Sequence, residues 1–387
     1  MTVPGPSYDV VCVGESMVTF LPTRPGRLAD VPAFTRAIGG AESNVACALA
    51  AAGHRARWVG RVGTDGFGDH LLDTIAGYGV DVAAVRRDPH RPTGVYFRTD
   101  ADRATAAHEV VYYRTGSAAS AMSPDTIPYE TVADTRILHL TGITAALSGD
   151  CLALLHELTE PRAGRPLVCF DVNDRPGLWR GGDAGGVLRE LAARADLVLV
   201  GADEAERLWG AAAPAAAPAA VRALLPEPAV LVVKGGAGPA TAFERPAAAT
   251  AATEVRTMDD GVAATAVTAA VEAPHTARAA TAARAADVVT VVPAPRVDVV
   301  SAVGAGDAFA AGFLSATLRG LDMPARLRHG HLAAAAALTA PGDLAAPPDR
   351  DRADRLVALG DGDWGRLHLG PGWTSAGTEA DEEVRNR

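Results

Sequence analysis

Apolar residues along this chain fall into two rhythms that take turns. Short apolar runs at Asp9–Val13, Arg57–Val62, Arg136–Leu140, Pro166–Val172, Asp196–Val200, Ala229–Val233 and Val288–Val292 read as strands, with the look of a parallel core sheet. Between them, apolar positions recur at helical spacing. In the stretch opened by Gly39-Gly40, Val45, Leu49 and Ala52 share a face and Gly53 ends the helix. Further helices are predicted at Asp69–Ala76 (Leu72 and Ile75 inward), Gly149–Leu158, Gly186–Arg194, Asp203–Trp209, Asp307–Leu318, Pro324–Leu338 and Arg352–Leu359. Alternating strands and helices predict βαβ units around a mostly parallel sheet, an α/β fold.

Two segments break that rhythm. Thr93–Arg98 and Glu109–Arg114 alternate as strands (Val95 and Phe97; Val111 and Tyr113) with no helix between them. With a strand at about 15–20, they predict a small β lid over the sheet. A lid of this kind could shut water out of a site beneath it. One domain is expected over 1–360. Ala211–Ala220, with Pro214 and Pro218, is read as a flexible link, and the Ala-, Thr-, Val- and Arg-rich stretch 245–287 as a low-complexity insertion without chemistry. Residues 361–387 are expected as a tail, unstructured from about Thr374 onward.

Composition narrows the class. The 387 residues are 48% hydrophobic and 21% charged, as in a globular protein, and the net charge of −10 argues against a general nucleic-acid or anionic-membrane binder. No apolar run reaches the length of a membrane span. Cys12, Cys47, Cys151 and Cys169 lie in apolar runs without zinc spacing, so they read as reduced core residues of a cytoplasmic enzyme. Lys234 is the only lysine in an otherwise arginine-based chain. It stands between a strand and the glycine loop Gly235-Gly236-Ala237-Gly238, at the sheet end where α/β folds bind ligands.

The chemistry concentrates in Gly304-Ala305-Gly306-Asp307, which opens a helix. Unpaired N–H groups and the positive end of the helix dipole make an anion site there. Asp307 would repel a phosphate, yet it fits as the base that takes a proton from an attacking hydroxyl. The alternative is an Asp that merely caps the helix. No Gly-Lys-Ser/Thr follows, so this is not a Walker A loop, and Val13-Gly14 is not followed by the GxGxxG of a dinucleotide-binding dehydrogenase.

Gly39-Gly40-x-x-x-Asn44-x-Ala46, Gly60-x-Val62-Gly63-x-Asp65-x-x-Gly68 and Gly304-Ala305-Gly306-Asp307-Ala308-Phe309-x-x-Gly312 together resemble the ribokinase-like (pfkB) carbohydrate kinases, over roughly Tyr8 to Leu359 apart from the insertion. Thr93–Tyr96, Val111–Ser120, His139–Thr144 and Asp171–Trp179 are most similar to the branch acting on 2-keto-3-deoxygluconate. The resemblance implies a three-layer sandwich with a β-strand lid that often pairs subunits into a homo-oligomer. It implies Asp307 as base and Gly304, Ala305 and Gly306 as an anion hole. Gly40, Asn44, Tyr96, Tyr112, Arg114, Arg175 and Asp343 would bind a sugar acid. Asn173, Arg175, Gly201, Lys234, Gly235, Gly236, Gly238 and His331 would bind ATP, and Glu204 would organise Mg²⁺ through water. An arginine fork matches a substrate carboxylate. Two arginines in the acceptor pocket therefore favour the acid over the alternatives, a ribokinase- or fructokinase-type neutral-sugar kinase and a catalytically silent sugar-acid sensor. Which epimer of the acid is used stays open.

The chain departs from the family on the nucleotide side. Ser301-Ala302 stand where Asp-Thr is usual, with Asp298 three residues earlier, which puts monovalent-cation dependence in doubt. Gly201 replaces an Asn ahead of Glu204, and His331 replaces an adenine-side Asn.

Overall fold

A computed structural model of the chain describes residues 5–24, 26–99, 109–179, 182–211, 217–246 and 286–375. In chain order the strands are β1 (Tyr8–Val13), β2 (Met17–Pro22), β3 (Phe34–Gly39), β4 (Ala56–Val59), β5 (Arg61–Gly63), β6 (Arg86–Asp88), β7 (Val95–Arg98), β8 (Val110–Tyr113), β9 (Thr135–Thr141), β10 (Leu167–Asp171), β11 (Leu197–Gly201), β12 (Val230–Lys234), β13 (Ala240–Glu244), β14 (Val288–Val292), β15 (Arg296–Val297) and β16 (His368–Leu369). The helices are α1 (Ala41–Ala51), α2 (Gly66–Gly77), α3 (Glu130–Ala133), α4 (Gly142–Ala145), α5 (Gly149–Thr159), α6 (Ala184–Arg194), α7 (Ala202–Trp209), α8 (Ala217–Leu224), α9 (Ala305–Leu318), α10 (Met323–Leu338), α11 (Arg350–Val357) and α12 (Asp361–Trp364).

Eight strands form the central sheet in the order β14-β13-β12-β11-β10-β9-β1-β4. Pairing is parallel from β4 through β12 and antiparallel at β13 and β14. One face packs Cys12, Ile137, Cys169 and Leu199 against α1, α9 and α10; the other packs Val13, Leu138, Phe170 and Val198 against α5 and α6. Burial on both faces is why the strands read as unbroken apolar runs. The α/β expectation is met, and all four cysteines are unpaired and buried. On α2, Leu71 and Ile75 are fully buried, with Leu72 at the margin.

The lid is a separate sheet in the order β3-β2-β7-β8, with β7 and β8 paired as the expected hairpin. β3 carries no readable signal in the sequence, because Thr35 and Arg36 are both exposed and no alternation shows. Residues 217–220 of the expected link are helix instead, while 212–216 lie outside the described residues: α8 starts at Ala217, with Pro218 in its first turn, where a missing N–H costs nothing, and with Val221 buried. Residues 247–285 of the expected insertion lie outside the described residues; at its margin Asp287 accepts two 2.7 Å hydrogen bonds from Arg222.

The expected tail is corrected over 361–375, and 376–387 lie outside the described residues. β16 pairs in parallel with β15, and Trp364 and Trp373 are buried. Their indole N–H groups donate to Pro293 O (2.8 Å) and Thr339 Oγ1 (3.1 Å). Two aromatic side chains supply burial that the polar average of this segment conceals. Trp364→Ala should therefore cost about 3–5 kcal/mol of stability, read as a lowered urea midpoint. An unchanged midpoint would mean that 361–375 is a passive appendage.

Candidate active site

The C-terminal ends of β10, β11 and β12 and the N-terminal ends of α1, α7 and α9 meet under the lid around a cavity of about 1020 Å³. Parallel strands all end on the same side, and loops leaving them are free to carry chemistry.

Asp307 is the third residue of α9. The helix is capped by Gly304, which has φ 79° and makes no side-chain cap bond. Only glycine fits at 304, since a Cβ there would lie 2.2 Å from Asp343 O. The capping alternative for Asp307 is thus excluded. Its carboxylate accepts instead from Asn44 Nδ2 (2.9 Å) and Asn173 Nδ2 (3.3 Å). Asn173 has φ 39° and is the one non-glycine at positive φ among the described residues. That conformation is costly for a side chain other than Gly, Asn or Asp, and here it brings the amide to Asp307. Asp307 opens on the cavity and is half-buried. Loss of hydration raises its pKa above the ordinary carboxylate range, and the Asn44 bond opposes that rise.

At the start of the glycine loop 235–238, Lys234 Nζ bridges both oxygens of Asp171 at 3.0 Å. Burial opposes its charge, but Asp171 and Glu204 prevail and raise its pKa, so the ammonium stays protonated. Glu204 accepts from Gly201 N (2.7 Å) and Asp174 N (2.9 Å), tying the start of α7 to the segment after β10. Burial raises its pKa. His331 is buried, edge-on to Phe309, with Nε2 3.1 Å from Val292 O. Burial lowers its pKa to about 4, so the ring is neutral. A carbonyl can only accept, which places the proton on Nε2.

On the lid side, Arg114 is buried against Glu15, whose other oxygen accepts from Ser117 Oγ (3.0 Å). In sequence Arg114 is a fork without a partner; the structure supplies it with a carboxylate. Tyr112 packs on Tyr96 (ring centroids 5.4 Å apart) and beneath the Arg114 guanidinium. Tyr96 Oη donates to Asp343 Oδ2 and Arg98 Nη2 to Asp343 Oδ1 (2.8 Å). Arg175 is exposed at the cavity wall, with Nη1 on Asp174 O (3.1 Å).

Gly40, Asn44, Tyr96, Tyr112, Arg114, Asn173, Arg175, Gly201, Glu204, Lys234, Gly235, Gly236, His331, Asp343 and Gly304 through Asp307 all line this one cavity. Gly238 does not line it. Its N–H closes a turn onto Gly235 O (2.9 Å), so it shapes the loop without facing the cavity. Glu15, Arg98 and Asp171 join the wall without having been singled out by sequence. Arg98 has a signal there, since it lies two residues from Tyr96 on an alternating strand and so shares its face. Glu42, beside Asn44, lies outside the cavity; its Oε1 accepts from Thr141 Oγ1 (2.8 Å) and Thr144 Oγ1 (2.7 Å).

The pfkB family of carbohydrate kinases matches residues 7–270 and 275–350, so the sequence match runs through much of 245–287. A 2-dehydro-3-deoxygluconokinase of Bacillus subtilis (strain 168) is 30% identical over 348 residues, covering 89% of this chain and 94% of the relative. A 2-dehydro-3-deoxygalactonokinase of Haloferax volcanii is 29% identical over 356 residues, covering 91% and 98%. A fructokinase of Xylella fastidiosa with bound ATP superposes with a TM-score of 0.65 at 24% identity, covering 86% of this chain and 93% of that one, a likeness of fold.

Burial raises the pKa of Glu42 from 4.5 to about 7. A folded-state pKa above the unfolded one means that the native chain holds its proton longer. Stability is thus full below about pH 4.5 and falls as pH rises toward 7. The loss approaches about 3 kcal/mol by the linkage relation. Glu42→Gln keeps an acceptor for both threonines and should flatten this slope in denaturation curves taken between about pH 4.5 and 8. Parallel slopes for the two proteins would refute the assignment.

Proposed function

Because the chain belongs to the pfkB family of carbohydrate kinases, we propose that it transfers the γ-phosphoryl group of ATP to the 6-hydroxyl of 2-keto-3-deoxygluconate. The observation that carries this is the confinement of a hydrogen-bonded carboxylate, a helix N-terminus without a side-chain cap, and Arg114 and Arg175 to one cavity under a lid. The nearly full-length match to the Bacillus subtilis 2-dehydro-3-deoxygluconokinase supports the substrate.

Asp307, aimed by Asn44 and Asn173, takes the proton of the attacking hydroxyl. The N–H groups of Gly304, Ala305, Gly306 and Asp307 face the charge that develops on the phosphoryl oxygens. Arg175 and the Glu15-backed Arg114 meet the carboxylate of the acid, with Tyr96 and Tyr112 along the sugar chain. Lys234, Gly235 and Gly236 flank the nucleotide phosphates, and His331 stands on the apolar wall of the nucleotide side.

Among the described residues no three His, Cys, Asp or Glu side chains are grouped to hold a metal. The donor set suits Mg²⁺ carried in by ATP, which keeps several waters and needs only one or two carboxylates nearby. Glu204, both of whose oxygens already accept backbone N–H groups, would act through such a water. When bound, the ion shares the charge of the transferring group.

The Glu15–Arg114 pair favours one rival, a neutral-sugar kinase, because it offsets part of the positive charge offered to an acid. The Haloferax volcanii relative favours the galactonate epimer. An ADP-release assay with Mg·ATP should show turnover with 2-keto-3-deoxygluconate and none with ribose or fructose. Asp307→Asn should lower kcat by about 10²–10⁴-fold while ATP still binds. Turnover with a neutral sugar alone would sink the acid reading and keep the kinase. The raised pKa of Asp307 adds a sign: the base works only when ionised, so kcat/KM should fall on acidification at a pH above the ordinary 3.8 of an aspartate. An acid limb at or below 3.8 would contradict the burial of this carboxylate.

A further inference from the structure

Asp343 lies beyond α10, and two side chains of one lid strand hold it. Tyr96 donates to one carboxylate oxygen and Arg98 to the other, at 2.8 Å, although these residues are about 245 positions away in the chain. The Arg98 side chain is only 2% exposed. A guanidinium so buried is tolerated only where a carboxylate meets it in good geometry, and breaking such a pair is costly. The backbone of the same Asp343 lies against Gly304, where a Cβ would stand 2.2 Å from its carbonyl oxygen. One residue therefore holds the lid through its side chain and packs its main chain against the Gly304 loop. Gly39, at the end of β3, leaves the room this needs: a Cβ there would meet Tyr96 Oη at 2.0 Å and Asp343 Oδ2 at 2.6 Å.

We propose that Arg98 is a positioning residue which, through Asp343, fastens the lid to the Gly304 loop and directs the phosphoryl group to the bound acceptor instead of water. The proposal rests on the kinase reading above, though not on which sugar is used. In the unwanted reaction, a water oxygen bonds to the γ-phosphorus, its proton passes to Asp307, and the bond to the β-phosphate oxygen breaks, leaving ADP and inorganic phosphate. A lid held in register leaves no room for that water once the acceptor is seated.

The test uses the full chain with ATP and whichever sugar the wild type accepts, measuring ADP and phosphorylated sugar in parallel. The wild type should give equal amounts. Arg98→Met should raise KM for the sugar and leave KM for ATP unchanged. Its kcat/KM for the sugar should drop on the order of 10²-fold, as a misplaced lid allows. It should also release ADP in excess of product and hydrolyse ATP faster than wild type with no sugar present. Asp343→Asn preserves shape and serves should Arg98→Met not fold; it should likewise raise sugar-free hydrolysis, which loss of a sugar contact alone would not do. Arg98→Lys should restore part of the ADP-to-product balance. Amide hydrogen exchange, which needs no substrate, should quicken in β7 and in 340–344 together. A folded variant with balanced products, unchanged sugar-free hydrolysis and unchanged exchange overturns the proposal. A wild type that prefers a neutral sugar overturns only the substrate reading.

Discussion

The carboxylate of Asp307 at the N-terminal end of α9 is the constraint on which the rest of the site depends. In the proposed reaction a negative group stands where an incoming phosphate must also be attracted, and the two demands oppose each other. Two asparagine amides from different parts of the chain resolve the conflict, Asn44 from α1 and Asn173 from the segment after β10. Neutral donors orient the carboxylate without adding a charge that would bind the phosphate in the wrong place. Because the sheet is packed on both faces, the strand ends and helix starts that carry these groups are held in register by a core on each side of it.

Around that centre the cavity wall is built of paired charges. Lys234 stands on Asp171, Arg114 on Glu15 and Arg98 on Asp343. Each buried cation has a carboxylate that offsets the cost of removing it from water. A substrate or nucleotide entering the cavity therefore meets cations already oriented by their partners, so less ordering remains to be done on binding. Arg175 differs, being exposed and bonded only to a carbonyl in the described contacts. With the exposed Arg296 on the same wall, it is open to an incoming anion.

Much of the molecule is legible in its sequence, for a physical reason. Strands buried on both faces must be continuously apolar, so the order of strand and helix shows in the residue pattern alone. The glycine clusters stand out because their backbones must approach other atoms closely. What the pattern hides has equally local causes. β3 escapes notice because both Thr35 and Arg36 face water. The segment 361–375 reads as a tail because its burial rests on two tryptophans in a polar stretch.

By itself the sequence determined the α/β class and the lid hairpin, and all but one of the expected site residues, Gly238, lie on the one cavity wall, because each is written in local spacing or in short motifs. Only the tertiary structure decided how those residues are spent. That Asn44 serves Asp307, that Glu15 occupies Arg114, that Glu204 reaches Asp174 N and that Arg98 joins the lid to Asp343 are pairings across 30 to 263 residues. Such partners are chosen by where the packed sheet and lid bring side chains in space, and no spacing along the chain records that choice.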